Sequence, residues 1–308
     1  CKRARRMKGN SFKLARFRFR LTARSPIELS SGYKGSTFHG AFGHALKDLS
    51  PHFYDLFFNP TLAVSGNSQN QLPKPFVLIP PLADQSQFNP GEELQFELVL
   101  FGTAVSQLPA CVAAIDHLGK HMGLGTNKGR FAITAIDAIK PGGESVSVLN
   151  ENGRITSIPQ SEAEEFSLKP QSAPAIRINL NTRLRLTYNN QRITQAPSFE
   201  LLITRLIGRI KNLTDLYGES ELISSAEKQQ LIEEAKTITM ARQNVEWSDW
   251  PRYSGRQKEW MQFGGLLGAI TYQGNLAPFL PWLALGEWTH VGGKTSFGLG
   301  KYHTEILQ

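Results

Sequence analysis

The sequence predicts an α+β protein built as two tandem domains. Three observations point there. Two widely separated segments, near residues 14–24 and 176–188, alternate apolar residues with arginines at period two. Each is followed by a stretch whose apolar residues recur at helical spacing. A glycine-rich, lysine-bearing segment occurs at 118–133 and again at 285–303. Period two marks a strand with one buried face, and a 3.6-residue period marks a helix with one buried side. An echo at so long a distance fits two related domains better than a short-period solenoid.

The elements follow in order. Leu14, Phe17, Phe19 and Leu21 are apolar, and Arg16, Arg18 and Arg20 alternate with the last three. This is a strand with an arginine row on its open face. Ser36 or Thr37 can cap a helix that runs to about Leu49, before Pro51. Residues 52–90, rich in Pro, Asn and Gln, read as loops around a short strand at 76–79. A strand at 94–101, a helix at 109–118 and a strand at 131–139 follow. The Asn-Glu-Asn-Gly run at 150–153 reads as a hairpin turn. Residues 161–175 form the linker between a first domain at 11–160 and a second at 176–308, and residues 1–10 are a basic leader.

The second domain opens with a strand at 176–188, where Arg183 and Arg185 share a parity opposite Leu184 and Leu186. A striped helix at 197–216, a charged helical insertion at 219–236 and a strand at 238–247 come next. Residues 258–272 read as a strand or hairpin, and 277–285 as the helix before the final loop. Each half is thus β-α-β followed by β-α-β, the order of a ferredoxin-like fold. Two helices there cover one face of an antiparallel sheet. The other face is left to the arginines, and an open basic sheet is a platform for single-stranded RNA.

The net charge of +8 over 308 residues is unevenly placed. Residues 1–24 carry ten basic side chains and no acid, whereas the remainder carries 24 basic and 26 acidic. A second basic window, 176–211, holds Arg177, Arg183, Arg185, Arg192, Arg205, Arg209 and Lys211 against Glu200. Local clusters of one sign point to a polyanion. The two cysteines, Cys1 and Cys111, make no disulfide framework, and a reducing cytoplasm is the default. No apolar run reaches the about 18 residues of a membrane span, so no membrane partner is expected.

In the last segment, Gly292, Gly293, Gly298 and Gly300 surround Lys294, Thr295 and Ser296. The spacing departs from a phosphate-binding Walker loop. It suits a backbone that bends sharply and lies against another polymer, with exposed N–H groups and Lys294 as a phosphate cradle.

Three segments carry a family resemblance: YKGSTFHGAFGHAL from Tyr33, MGLGTNKGRF from Met122, and HVGGKTSFGLGKY from His290. Together they resemble the CRISPR-associated endoribonucleases that process precursor crRNA, members of the RAMP superfamily. The resemblance implies two tandem ferredoxin-like (RAMP/RRM-like) domains with a C-terminal glycine-rich loop. It further implies one metal-independent cut in a CRISPR repeat RNA, leaving 5′-hydroxyl and 2′,3′-cyclic phosphate ends, with other CRISPR effector subunits as further partners. No metal-binding carboxylate cluster is present, so neither metal nor cofactor is expected.

Such a cut needs a group to take the 2′-hydroxyl proton, a group to protonate the 5′-oxygen, and positive charge for the phosphorane. The candidate catalytic residues are His39, His44, Tyr33 and Lys47, with Lys34 as a further source of charge. On a helical wheel Phe38, Phe42, Ala45, Leu46 and Leu49 form the core stripe. Gly40, Gly43, His44 and Lys47 form the opposite, open face, and His39 lies at the boundary near the helix start. A histidine near that start also fits the resemblance, so His39 is preferred over His44 as base. The candidate RNA-binding residues are Arg16, Arg18, Arg20, Lys128, Arg130, Arg183, Arg185, Gly292, Gly293, Lys294 and Ser296. The alternative is a catalytically inactive RAMP subunit that holds guide RNA. A nucleotide-binding α/β enzyme using the glycine loops is a more distant third.

Overall fold

The computed structural model describes residues 12–60, 72–166, 172–254 and 259–307, with the backbone alone for 251–254 and 259–262. The basic leader, residues 1–10, lies outside the described residues. The chain divides into two compact units at Glu162/Ala163, with Leu216–Glu219 counted in the first.

The N-terminal unit contains β1 (Lys13–Ala23), α1 (Gly35–Leu49), α2 (Pro51–Phe58), β2 (Phe76–Ile79), β3 (Glu93–Phe101), α3 (Leu108–His117), β4 (Phe131–Ile139) and β5 (Ser145–Ser147). The strands pair antiparallel in the order β2-β3-β1-β4-β5. The first four make the ferredoxin-like sheet. Phe17, Phe19 and Leu21 of β1 are buried with Phe96 and Leu98 of β3 and with Phe38, Phe42, Ala45 and Leu46 of α1. The Phe19 and Phe96 rings stack at 4.9 Å, and Phe38 meets Phe96 at 5.3 Å.

The C-terminal unit repeats the plan with β6 (Ala175–Leu184), α4 (Phe199–Tyr217), α5 (Ser225–Ala235), β7 (Thr239–Ser248), β8 (Gly265–Gln273), α6 (Leu280–Thr289) and β9 (Tyr302–Leu307). Its sheet order is β7-β8-β6-β9, all antiparallel. Leu202, Ile203, Leu206, Ile207 and Ile210 give α4 its buried stripe, set by i, i+3 and i+4 spacing. The insertion helix α5 starts with a capping box in which Ser224 and Glu227 satisfy each other's backbone N–H. A hairpin, Pro251–Ser254 with Glu259–Gln262, lies between β7 and β8.

Several expectations need correction. Pro51 starts a helix rather than preceding a loop, since a proline in the first turn sacrifices no helical hydrogen bond. Neither Ser36 nor Thr37 caps α1: the N-cap is Lys34, and no side chain caps it. Leu49 is 44% exposed instead of joining the core stripe. Part of the expected linker is built into the units. Ser161 and Glu162 pair with Leu14 and Lys13 of β1, and Phe166 packs edge-on against Trp288 at 4.9 Å.

Phe96 joins the sheet to α1 through two aromatic contacts. Phe96→Ala is expected to destabilise the N-terminal unit by about 3–5 kcal/mol, read as a lower urea midpoint for that unit with the other unit's transition unmoved.

Candidate nucleic-acid interface

The β1 arginines occupy the sheet face opposite the aromatic core, as the alternation predicts. Their electrostatics differ from the expectation. Register places Glu97 of β3 and Asp137 of β4 beside Arg18. The Glu97 carboxylate accepts Arg16 Nε and Nη2 at 2.9 and 2.6 Å on one oxygen. It accepts Arg18 Nε and Nη2 at 3.2 and 3.0 Å on the other. Arg20 Nη2 donates to Asp137 at 2.8 Å. The expected bare cationic row is therefore a charge network of three arginines and two acids. Burial by itself would raise the Glu97 carboxyl, but Arg16 and then Arg18 outweigh it and hold the group below its ordinary value.

On α1 the faces differ from the wheel at two places. His39 is 7% exposed. Its ring packs edge-on against Phe58 at 5.0 Å and stacks on Phe76 at 5.8 Å. Gly43, expected on the open face, is buried, and an added Cβ would meet the Phe58 ring at 2.9 Å. The unforeseen α2 supplies Phe58 and covers that flank. His44 and Lys47 are exposed, and Lys47 Nζ lies 5.8 Å from the centre of the Tyr54 ring. Tyr33 is half-buried. Lys34 is 2% exposed, and its Nζ donates to the Ala83 carbonyl at 2.7 Å. Burial lowers its pKa, with Asp84 opposing. Lys34 is thus an anchor for the start of α1 and not a free charge at the helix surface.

The N-terminal glycine segment forms a tight loop between α3 and β4. Leu124 and Gly129 bond to each other in both directions at 2.9 Å. Asn127 Nδ2 donates to the Pro26 carbonyl, and Asn127 Oδ1 accepts the Glu28 N–H. Lys128 is exposed in the left-handed region with φ 57°. Arg130 is half-buried, with its N–H on Ser25 Oγ.

The C-terminal glycine loop takes the equivalent place between α6 and β9. Five of its amides bond within the protein. Val291 N–H donates to Gly300, Gly293 to Arg185, Phe297 to Lys294, Gly298 to Thr295 and Gly300 to Arg183. These five N–H groups fasten the loop to itself and to the end of β6 instead of serving in the expected cradle. Gly292 and Gly300 have φ 88° and 71°. A Cβ at Gly292 would strike the Arg185 carbonyl, and one at Gly300 the Val291 carbonyl. Ser296, expected at the RNA, is 8% exposed because the 3₁₀ turn Thr295–Phe297 rolls it inward. Gly293 and Lys294 are exposed, and Lys294 is left-handed with φ 62°.

Around this loop the C-terminal unit gathers cations over aromatic rings. Arg183 donates to the Ser248 carbonyl and hydroxyl at 3.2 and 3.0 Å and lies 5.8 Å from the Trp250 ring centre. Arg185 donates to the Gly264 carbonyl at 2.9 Å and lies 5.5 Å from Phe263. Lys294 Nζ is 5.9 Å from that ring, and Arg192 is 6.0 Å from Trp247. Burial, and next the nearby charge of Arg192, lower the Arg185 pKa, with Asp249 opposing. Arg192, Trp247 and Trp250 were not foreseen as site residues. Trp247 and Trp250 are half-buried, unlike the buried Trp282 and Trp288.

Residues 178–302 match the family model of the CRISPR-associated endoribonuclease Cas6. The Cas6 match falls in the C-terminal half of the chain. Residues 12–162 match a second model, described as an N-terminal domain. No curated protein matches the sequence. Among solved structures, the chain is similar to Thermus thermophilus Cas6, with TM-score 0.60 and 15% identity over 96% of this chain and 100% of that one. It is similar to a Cas6 product complex, with TM-score 0.61 and 16% identity over 95% and 99%. It is also similar to a chain of a partial Cas6-RT-Cas1–Cas2 complex, with TM-score 0.65 and 15% identity over 96% of this chain. This chain spans 46% of that longer one. At such identities the likeness shows a shared fold, here two ferredoxin-like units. Among the described residues no helix is long and apolar enough to cross a membrane.

Glu97 sets an acid limit on the N-terminal unit. Its folded pKa lies below the unfolded value, so its contribution is complete above about pH 4.3 and fades as pH falls through the lowered folded value. Glu97→Gln is expected to cost about 1–3 kcal/mol at neutral pH and to flatten the acid side of the unit's stability profile. Urea titrations across pH check both.

Proposed function

We propose that the chain is a metal-independent endoribonuclease that binds CRISPR repeat RNA and cleaves precursor crRNA. The observation that carries this reading is the cationic and aromatic cluster of Arg183, Arg185, Arg192 and Lys294 with Trp247, Trp250 and Phe263. It lies within the stretch matched by the Cas6 model. Guanidinium groups held by carbonyls keep a fixed fork for phosphate oxygens, and half-buried indoles offer faces to bases. Phe263, 1% exposed, instead supports the cations from beneath.

Cleavage proceeds through the RNA itself. The 2′-hydroxyl oxygen bonds to the adjacent phosphorus and its proton passes to a base. The bond from phosphorus to the 5′-oxygen breaks, and that oxygen takes a proton. The products are a 2′,3′-cyclic phosphate and a 5′-hydroxyl. On α1, His44 is the better placed proton carrier because it is exposed, with Lys47 three residues on to meet phosphorane charge. Tyr33 orients the RNA or supplies the second proton. His39 packs α1 against Phe58 and Phe76. Precursor crRNA is the substrate, and the likeness to a chain of the Cas6-RT-Cas1–Cas2 complex supports other CRISPR proteins as partners.

Purified protein with repeat RNA in EDTA is expected to make one discrete cut. His44→Ala is expected to slow it by about 10²–10⁴-fold. His39→Ala is expected to lower the melting temperature while the folded variant still cuts. A full-rate His44→Ala overturns the assignment. Binding without any cut identifies a guide-RNA-holding subunit instead, a reading that the burial of His39 favours.

Neutralising RNA phosphates makes affinity fall with salt. Removing the charge at Arg183, Arg185 or Lys294 is expected to lower the log–log salt slope by about 0.7 for each phosphate that the variant no longer neutralises. An unchanged slope in all three variants removes this face as the RNA track.

A further inference from the structure

His290 is the first residue after α6, and its backbone sits at φ 58°, ψ 173°. That region is essentially reserved for glycine, because a Cβ crowds the neighbouring peptide groups there. Helices commonly end on a positive-φ glycine for the same reason. This segment is rich in glycine two residues on, yet an aromatic side chain occupies the one helix-ending position where glycine would relax the backbone. The imidazole is wholly buried, at 0% exposure. Its Nδ1 lies 3.1 Å from the Leu299 carbonyl oxygen. A carbonyl only accepts, so Nδ1 carries the hydrogen and donates.

The bond spans the whole loop. His290 and Leu299 are its two ends, and the adjacent Val291 N–H donates to Gly300 at 3.1 Å. These two bonds close the base of the loop. Gly293 and Gly300 then tie it to the Arg185 and Arg183 carbonyls. Lys294 stands at the exposed crest, held left-handed by its place in the turn. The side-chain bond adds to the backbone bonds that hold a segment with four glycines in one shape.

We infer that His290 is a positioning residue for RNA binding. It latches the base of the glycine-rich loop through the Leu299 carbonyl, and so fixes Lys294 beside Arg183 and Arg185. The inference rests on the RNA reading of that loop. The strained backbone is the cost of placing an imidazole donor at that point.

The test uses the full chain, a repeat RNA, and variants His290→Gly, His290→Asn and Lys294→Ala. Glycine relaxes the backbone but removes the donor. Asparagine carries an amide N–H near the position of Nδ1 and bears the same backbone strain as histidine. Hydrogen exchange is read at the amides of Gly293, Gly298 and Gly300, with Ile178 in the centre of the sheet as reference. His290→Gly is expected to speed loop exchange by about tenfold, which is 1.4 kcal/mol of local opening, with Ile178 unchanged. RNA affinity is expected to fall by about the same factor. His290→Asn is expected to restore both. Loop exchange at the wild-type rate in His290→Gly overturns the latch, as does equal acceleration at Ile178, which marks a general packing role. An Asn variant that behaves like the Gly variant overturns it too. Wild-type affinity in Lys294→Ala overturns the RNA reading of the loop, while accelerated loop exchange in His290→Gly still supports the latch.

Discussion

In each unit the first strand is paired on both sides, and the rest of the structure depends on that. β1 runs between β3 and β4, and β6 between β8 and β9. With both edges satisfied, the parity of the strand is locked. A slip of one residue in β1 would turn three arginines into the core and Phe17, Phe19 and Leu21 out of it. The helices can cover only the apolar face, so the polar parity necessarily becomes the outer face of the sheet. The same lock decides what the arginines meet. In β1 they meet Glu97 and Asp137, and form a network within the sheet. At the end of β6 they meet carbonyls, a hydroxyl and aromatic rings.

The two glycine loops are the second consequence of the repeated plan. Each joins the second helix of its unit's repeat to the fourth strand, and each docks on backbone at or just beyond the end of the first strand. The N-terminal loop fastens to 26–28 and the C-terminal loop to 183–185. Lys128 and Lys294 occupy corresponding places, both exposed and both left-handed. Glycine serves here less for mobility than for closeness: a Cβ at several of these positions would overlap a carbonyl of the strand end. Many of the loop amides are therefore satisfied inside the fold, and the side chains of Lys128 and Lys294 at the crests face outward.

Helix α1 illustrates where pattern reading succeeds and where it stops. The stripe of Phe38, Phe42, Ala45 and Leu46 follows from the helical period, and all four are buried. The same wheel places His39 at an edge, and an edge is buried or open according to what lies beside it. Phe58 and Phe76 lie beside it. Phe58 belongs to α2, which begins at Pro51, a residue that reads as a helix stop although proline is at home in a first helical turn. Glu97 and Asp137 were likewise visible as polar residues in strands, but only register sets an acid beside a particular arginine.

The sequence by itself determined the order of the main strands and helices apart from α2, the two ferredoxin-like units, the buried parity of each first strand and the place of the glycine loops. These are local properties, encoded in periods of two and 3.6 residues and in the residues that permit sharp turns. The tertiary structure alone decided which charges are neutralised, which histidine of α1 reaches solvent, and whether the loop amides face a ligand or the fold. Each of those depends on a partner distant in the chain, brought close by strand register and helix packing, and periodicity carries no information about distant partners.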